Sequence, residues 1–300
     1  MRKNRILIVL FTGIVLLLAA CTYDYFDDET NYQVFVPEIL NRTVGNCRVM
    51  VYDESGELVS SRYAVAGDDD PRMGAGLFSF RLFPGKYKVY CYTDTDNVLF
   101  TEEEHLDRSS FSLKRLEGVE GRYMHPSDIR FQVLKPTIAH VGVLKTDTAE
   151  LERYVGRITV RFKNFPADVS GIKKVELLAE RAPVVQPLKT DTLTSRFADT
   201  DHMYHMGDLP PQETAGILEV DHRFMPSIEG DYMRLNYTFF DADGNKITDI
   251  PLETIDKLTG LPRRLLHGRR LIIEVDSYTV ARIVLVGWNE DIASGDTDLE

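Results

Sequence analysis

Tryptophan occurs once, cysteine three times and histidine seven times in this chain of 300 residues. One tryptophan leaves little material for the aromatic platforms on which sugars stack. Three cysteines cannot build a disulfide-rich scaffold, and no Cys-x-x-Cys pair is present for zinc or thiol redox work. The histidines share no common frame. A Gly-x-Ser-x-Gly elbow, a His-Glu-x-x-His helix and a phosphate-cradling glycine loop are all missing. These gaps argue against an enzyme and against any cofactor. Basic residues are also short: 35 Lys and Arg face 47 Asp and Glu, a formal charge of −12. Nucleic acid, which demands clustered cations to neutralise phosphates, is thereby disfavoured as a partner.

No apolar run is long enough to span a bilayer. The longest, residues 6–20, has about 15 residues where a spanning helix needs ~20. It follows Arg2, Lys3 and Arg5 and ends in Leu18-Ala19-Ala20-Cys21. A basic start, a short apolar core and small residues at the cut describe a secretory signal. A cysteine directly after the two alanines suits lipoprotein processing, in which its thiol receives a diacylglyceryl group. Residues 1–20 are therefore expected to be a lipoprotein signal peptide and Cys21 the lipid-bearing first residue of the mature chain. Several acyl chains hold a protein at a membrane stably where one does not. Residues 21–40, beginning with an acidic stretch to Glu29, are expected to form a tether. Removing the signal removes three basic groups and no acidic ones, so −12 becomes −15.

Beyond the tether the apolar residues recur with period two. In residues 154–163, Tyr154, Ile158, Val160 and Phe162 fall on one side and Arg157, Thr159, Arg161 and Lys163 on the other, the pattern of a half-buried antiparallel strand. Similar runs occupy residues 47–52, 77–83, 86–93, 111–115, 137–144, 175–179, 216–220, 232–240, 271–275 and 280–286. Turn chemistry separates many of them, as in Asp53-Glu54-Ser55-Gly56, Pro84-Gly85 and Asp241-Ala242-Asp243-Gly244-Asn245. Many short strands with scarce helix predict an all-β chain of antiparallel β-sandwiches. The polar stretch Lys145-Thr146-Asp147-Thr148 divides two strand-rich blocks, residues 41–148 and 149–300, expected to pack directly on each other. Cys47 and Cys91 lie in strand-like runs with their apolar neighbours at even spacing, so both thiols are expected to face the core. A disulfide and a pair of buried free thiols both satisfy that placement.

Other motifs have bland readings. Asp241–Asn245 departs from a calcium loop, with Lys246 and Leu252 where Gly and Glu belong, and reads as a hairpin turn. His202 and His205, beside Asp199 and Asp201, form a weak metal candidate without a helical period or a third histidine; a metallohydrolase is the remote functional alternative. Arg263, Arg264, His267, Arg269 and Arg270 form a basic cluster that reads as a solvated loop before the strand at Leu271, with docking of an acidic partner as the alternative. Asp68-Asp69-Asp70 reads as a loop tip. Asp147-Thr148-Ala149 and Asp191-Thr192-Leu193 match a short O-glycosylation triplet. Trp288 ends an apolar strand and is expected to be buried, which weakens a glycan-binding surface lipoprotein as the second functional reading.

Several segments, in order, resemble the Bacteroidetes-type fimbrial anchor and minor-subunit family. They are Cys47-Arg48-Val49-Met50-Val51-Tyr52 with its Asp53–Gly56 turn, Leu82-Phe83-Pro84-Gly85-Lys86-Tyr87-Lys88-Val89, Leu151-Glu152-Arg153-Tyr154-Val155-Gly156-Arg157-Ile158, and the closing Ile283-Val284-Leu285-Val286-Gly287-Trp288. Tyr90-Cys91-Tyr92 departs from the family pattern. The resemblance implies two tandem transthyretin-like, Greek-key β-sandwiches held by lipid at the outer membrane. It also implies partnership with a fimbrillin shaft or other fimbrial subunits, through acceptance of a donated β-strand. Shaft subunits of the class are trimmed after an N-terminal arginine. Arg42 stands in that position, and cutting there would sever the lipid, so an anchor is expected to keep it intact.

Overall fold

The computed structural model describes residues 30–67, 74–118, 120–140, 142–165, 171–189, 203–205, 212–214, 217–228 and 230–291. Strands dominate, and the single described α-helix is one turn, Pro37–Leu40. The expected all-β, mainly antiparallel architecture is what the chain adopts.

The first block is organised on a five-stranded antiparallel sheet in the order Glu152–Arg153, Arg130–Leu134, Lys88–Thr93, Asn46–Tyr52, Leu58–Val65. Alternation sends Cys47, Val49, Val51, Val89 and Cys91 to one face. There they meet Tyr32, Val34, Phe78, Phe80 and Leu82 in the smaller of two hydrophobic cores. Met50, Tyr52, Tyr90 and Tyr92 leave by the opposite face and join the larger core. Strand Lys88–Thr93 is thus buried on both sides. That explains why Tyr90-Cys91-Tyr92 carries no polar alternation.

The smaller core is closed by a three-stranded sheet with Tyr32–Phe35 at its centre. This strand runs parallel to Lys145–Thr148 and antiparallel to Leu77–Phe80. The tether expected to reach residue 40 therefore ends earlier. Tyr32, Val34, Val36 and Ile39 are fully buried, because an alternating apolar segment finds two unpaired edges to bridge. Gly76 adopts φ +76° where an added Cβ would lie 2.3 Å from the Val36 carbonyl oxygen, so only glycine lets the two segments approach this closely.

Two further five-stranded sheets build the second block. One has the order Gln212–Thr214, Ile217–Phe224, Gly156–Lys163, Arg269–Asp276, Thr279–Gly287; the other runs Lys246–Glu253, Arg234–Phe240, Lys174–Glu180, Met203–His205, Arg122–Tyr123. Ile158, Val160, Phe162, Leu271 and Ile273 share one core with Val175, Leu177, Leu235, Tyr237 and Phe239, the arrangement of a β-sandwich. Edge-to-face aromatic contacts fill its middle, Phe162 lying 5.4 Å from Tyr237 and 5.3 Å from Phe239 between ring centroids.

The blocks pack directly on each other and exchange strands. Val185–Pro187 pairs with Ser110–Leu113, and Met203–His205 runs parallel to Arg122–Tyr123. Tyr92, from the first block, donates to the Leu188 carbonyl at 3.4 Å and sits 6.0 Å from Tyr154. Ala149 belongs to the smaller core and Glu152–Arg153 to the first sheet, so the crossover between sheet systems falls close to Gly156.

Candidate functional site: an open edge on the second sandwich

Cys21 and His202 lie outside the described residues. His205 belongs to strand Met203–His205, and among the described residues no group of three or more His, Cys, Asp or Glu side chains could hold a metal. Cys47 and Cys91 both face the smaller core, as their spacing requires, and in the structure both are free. They occupy neighbouring strands two residues out of register, Cys47 opposite Thr93 and Cys91 opposite Val49. Burial pushes the Cys91 thiol up to about 12 and the Cys47 thiol well above its ordinary value, which keeps both protonated and unreactive.

The basic cluster does not form a patch. Arg263 pairs with Asp256 at 2.6 Å. His267 meets the Tyr154 carbonyl through Nδ1 at 2.7 Å, and burial lowers its pKa. Arg270 is buried within strand Arg269–Asp276, donating to Thr159 at 2.7 Å. That strand begins two residues before Leu271, so the loop reading fails for Arg269 and Arg270. Asp241 accepts the backbone N–H of Asp243 and Asn245 at 2.9 and 2.8 Å, closing the expected hairpin turn between Arg234–Phe240 and Lys246–Glu253. Of the two glycosylation triplets, the first ends strand Lys145–Thr148, where Asp147 accepts from Tyr32. The second, like Asp68–Asp70, is outside the described residues.

Trp288 is half-buried rather than buried, because it lies just past strand Thr279–Gly287. It borders a cleft of about 390 Å³ with His125, Asp128, Arg153, Arg157, Asp221 and Arg223. The Arg153 guanidinium stacks over the indole at 4.5 Å and pairs with Asp128 at 3.1 Å; Arg157 pairs with Asp221. One indole face is therefore occupied by the protein itself, and both carboxylates of the cleft, Asp128 and Asp221, are already paired with arginines.

The sheet edges differ from one another in a way that matters for recognition. Natural proteins blunt exposed edges with charges and prolines. Lys246–Glu253 does so with Lys246, Asp249, Pro251 and Glu253; proline is confined to edge strands because it offers no N–H. Thr279–Gly287 does not. It is nine residues long and carries one charge, Arg282, set 3.7 Å from Glu274 on the neighbouring strand. Its inner side is fully paired to Arg269–Asp276, and its outer side is the sheet boundary. Leu285 on it is 38% exposed and Tyr278, at its start, 46%. A groove of about 380 Å³ separates this strand from the other sheet's edge, with Pro251, Leu252, Ile255 and Val280 as its apolar lining and Arg234, Glu253 and Lys257 at its rim. Nothing in the sequence alone distinguishes this apolar strand from the buried one beside it.

Comparison with known proteins gives the arrangement a family. No curated protein matches the sequence. Solved structures do match in fold. The fimbrial anchor protein Mfa2 from Porphyromonas gingivalis aligns with a TM-score of 0.51 at 14% identity, over 86% of this chain and 97% of its own. A candidate polysaccharide-binding protein from Bacteroides thetaiotaomicron aligns at 0.54 and 16% identity, over 89% and 99%. A candidate adhesin from Bacteroides ovatus aligns at 0.53 and 10% identity, over 86% and 95%. The family model for fimbrillin-A associated anchor proteins Mfa1 and Mfa2 matches residues 35–294, and the chain belongs to that family.

Proposed function

We propose that this protein is a lipid-held anchor or minor subunit of a surface fimbrium, without catalytic activity, and that it accepts a β-strand donated by a partner fimbrillin along Thr279–Gly287. The observation that carries the reading is that edge: long, apolar, almost uncharged and bordered by a groove. An added strand satisfies the outward N–H and C=O groups, and its alternate side chains enter the groove. Each such hydrogen bond contributes ~1 kcal/mol net, so four or five of them plus apolar contacts suffice for stable docking. Attachment follows from the sequence: acylated Cys21 fixes the head of the chain in the outer membrane, and the two sandwich blocks, meeting close to Gly156, stand above it.

The test is co-purification of fimbrillin polymer with the lipidated protein from outer membranes. Leu285→Glu places a charge on the edge strand at a residue that is 38% exposed and outside the buried core clusters. It should abolish polymer recovery while thermal stability is kept. Equal recovery from variant and parent would refute the acceptor role of this edge. The lipid has its own readouts: the mature N-terminus should be Cys21, and Cys21→Ser should release the protein from the membrane. A mature chain starting at Thr43 would contradict an anchor.

A further inference from the structure

The point where the tether enters the fold is marked by three exposed apolar side chains. Asn31 is held there on both sides. It exchanges reciprocal hydrogen bonds with Leu82, Nδ2 to the Leu82 carbonyl at 2.7 Å and the Leu82 N–H to Oδ1 at 2.8 Å. Its own carbonyl accepts the Lys145 N–H at 3.0 Å. Residues 82 and 145 are therefore fixed beside the chain entry, and so are their neighbours Phe83 and Leu144. Phe83 is 82% exposed, Val143 65% and Leu144 40%. Thr137–Ile138 pairs with Gly85–Lys86, in the turn that carries Phe83.

The position of Phe83 is not accidental looseness. Its carbonyl accepts the Tyr87 hydroxyl at 2.8 Å, Leu82 before it is buried, and Pro84 after it restricts the backbone. The turn is locked while its largest apolar side chain is held outward. Solvent exposure of that much Phe surface is costly unless something covers it.

What lies within reach decides the occupant. Asn31 is ten residues on from Cys21, a stretch that fully extended spans at most about 33–36 Å. If Cys21 carries lipid, the end of the fold bearing Phe83, Val143 and Leu144 cannot leave the neighbourhood of the bilayer. We infer that this end is a membrane-contacting surface, in which Phe83, Val143 and Leu144 enter the interfacial region and set the orientation of the anchored protein. The inference rests on the lipid-anchor reading above. Acyl chains alone fix one point and leave the body free to pivot on its tether; three apolar tips at the entry point add a second contact, of the kind interfacial segments make.

The test uses the lipidated full chain on vesicles of phosphatidylethanolamine and phosphatidylglycerol. In a Trp288→Phe background, Phe83→Trp supplies a single tryptophan whose emission should shift to the blue and be quenched by brominated lipid. A second reporter, Leu258→Trp, on an exposed loop of the other block, should be unaffected. Because Trp288→Phe could disturb the fold, hydrogen exchange of the unmodified sequence is measured in parallel: residues 81–86 and 142–145 should slow on vesicles relative to the Cys21→Ser protein in solution. Protein that floats with vesicles while Phe83→Trp stays water-like and exchange is unchanged would overturn the inference and leave the anchor standing. Protection appearing only after a fimbrial partner is added would also overturn it, assigning the surface to protein. Lipidated protein that fails to float would instead sink the anchor reading.

Discussion

Deleting the segment up to Arg42 should unfold the first block or leave it in need of a replacement strand. The segment contributes Tyr32, Val34, Val36 and Ile39, each fully buried. Burial of such side chains stabilises by ~1.5–3 kcal/mol apiece; four of them therefore amount to about 6–12 kcal/mol, an upper figure because unfolded chains are already partly collapsed. Whole domains are stable by only ~5–15 kcal/mol. The strand also supplies both ladders of its sheet, so its loss leaves Leu77–Phe80 and Lys145–Thr148 facing a gap. The assay compares thermal unfolding of a chain beginning at Cys21 with one beginning at Thr43. A fall in Tm of tens of degrees, or no cooperative transition, is expected, at ~2–4 °C per kcal/mol for a chain of this size. A peptide spanning residues 30–42 should restore much of the loss when added in trans, as a strand that closes a groove does. A chain starting at Thr43 with Tm within about 5 °C of the parent would refute the assignment of Tyr32–Phe35 as a core strand. The same energetics explain why an anchor must not be cut after Arg42. The residue is exposed and takes φ +54° after the short helix, so the bond is reachable; its cleavage separates the block from its central strand Tyr32–Phe35.

Three further outcomes follow from local geometry. Gly156→Ala should destabilise by about 1–3 kcal/mol, because a Cβ there would lie 2.4 Å from Cγ of the fully buried Leu265; urea unfolding reads it, and an unchanged midpoint would contradict the packing. The thiols of Cys47 and Cys91 should be silent to a thiol reagent in the native protein and titrate as two equivalents only on denaturation, given their full burial; a single disulfide found under non-reducing mass analysis would contradict the free pair. Burial keeps His222 neutral, lowering its pKa from 6.5 to about 3, so the unfolded chain takes up a proton that the folded one refuses. Stability should fall as pH drops from about 6.5 toward 3, by ~1.4 kcal/mol per unit from this group. The decline in Tm between about pH 6.5 and pH 5 should be shallower in His222→Gln, and an identical slope would exclude His222 as the cause.

Where one face of a sheet is buried and the other wet, the sequence showed it directly. Ile158, Val160 and Phe162 are buried as their spacing demands, and Arg157, Arg161 and Lys163 line the polar face, paired with Asp221, Glu219 and Glu274. Thr159 broke the rule. It sits on that polar face yet is fully buried, because Asp221 and Arg270 reach across and hydrogen-bond to its hydroxyl; a roof made by neighbouring strands cannot be seen in one strand's pattern. Tyr32–Phe35 was missed for a related reason. Four residues after an acidic stretch carry too little period to separate a core strand from a tether, and its burial depends on two partners, one 42–48 and the other 113 residues away. The interleaved strands Val185–Pro187 and Met203–His205 escaped similarly, being three residues each and paired with the other block.

Edge status is the least legible property of all, because it belongs to the sheet rather than to the strand. Arg269–Asp276 and Thr279–Gly287 read alike as apolar runs. Parallel pairing of the first with Gly156–Lys163 places it in the middle of the sheet and pushes the second to the boundary. The same pairing chemistry then has opposite outcomes in the two blocks. In the first block, the chain's own Tyr32–Phe35 fills the space between Leu77–Phe80 and Lys145–Thr148. On the second block, Thr279–Gly287 has no outer partner among the described residues and lacks the charges or prolines that would turn one away. The proposed anchor role draws on both: a closed sheet that does not exchange strands, and an open edge that can accept one. Closing the open edge by charge should therefore leave the protein folded and membrane-bound but solitary, whereas opening the closed one should destabilise the fold itself.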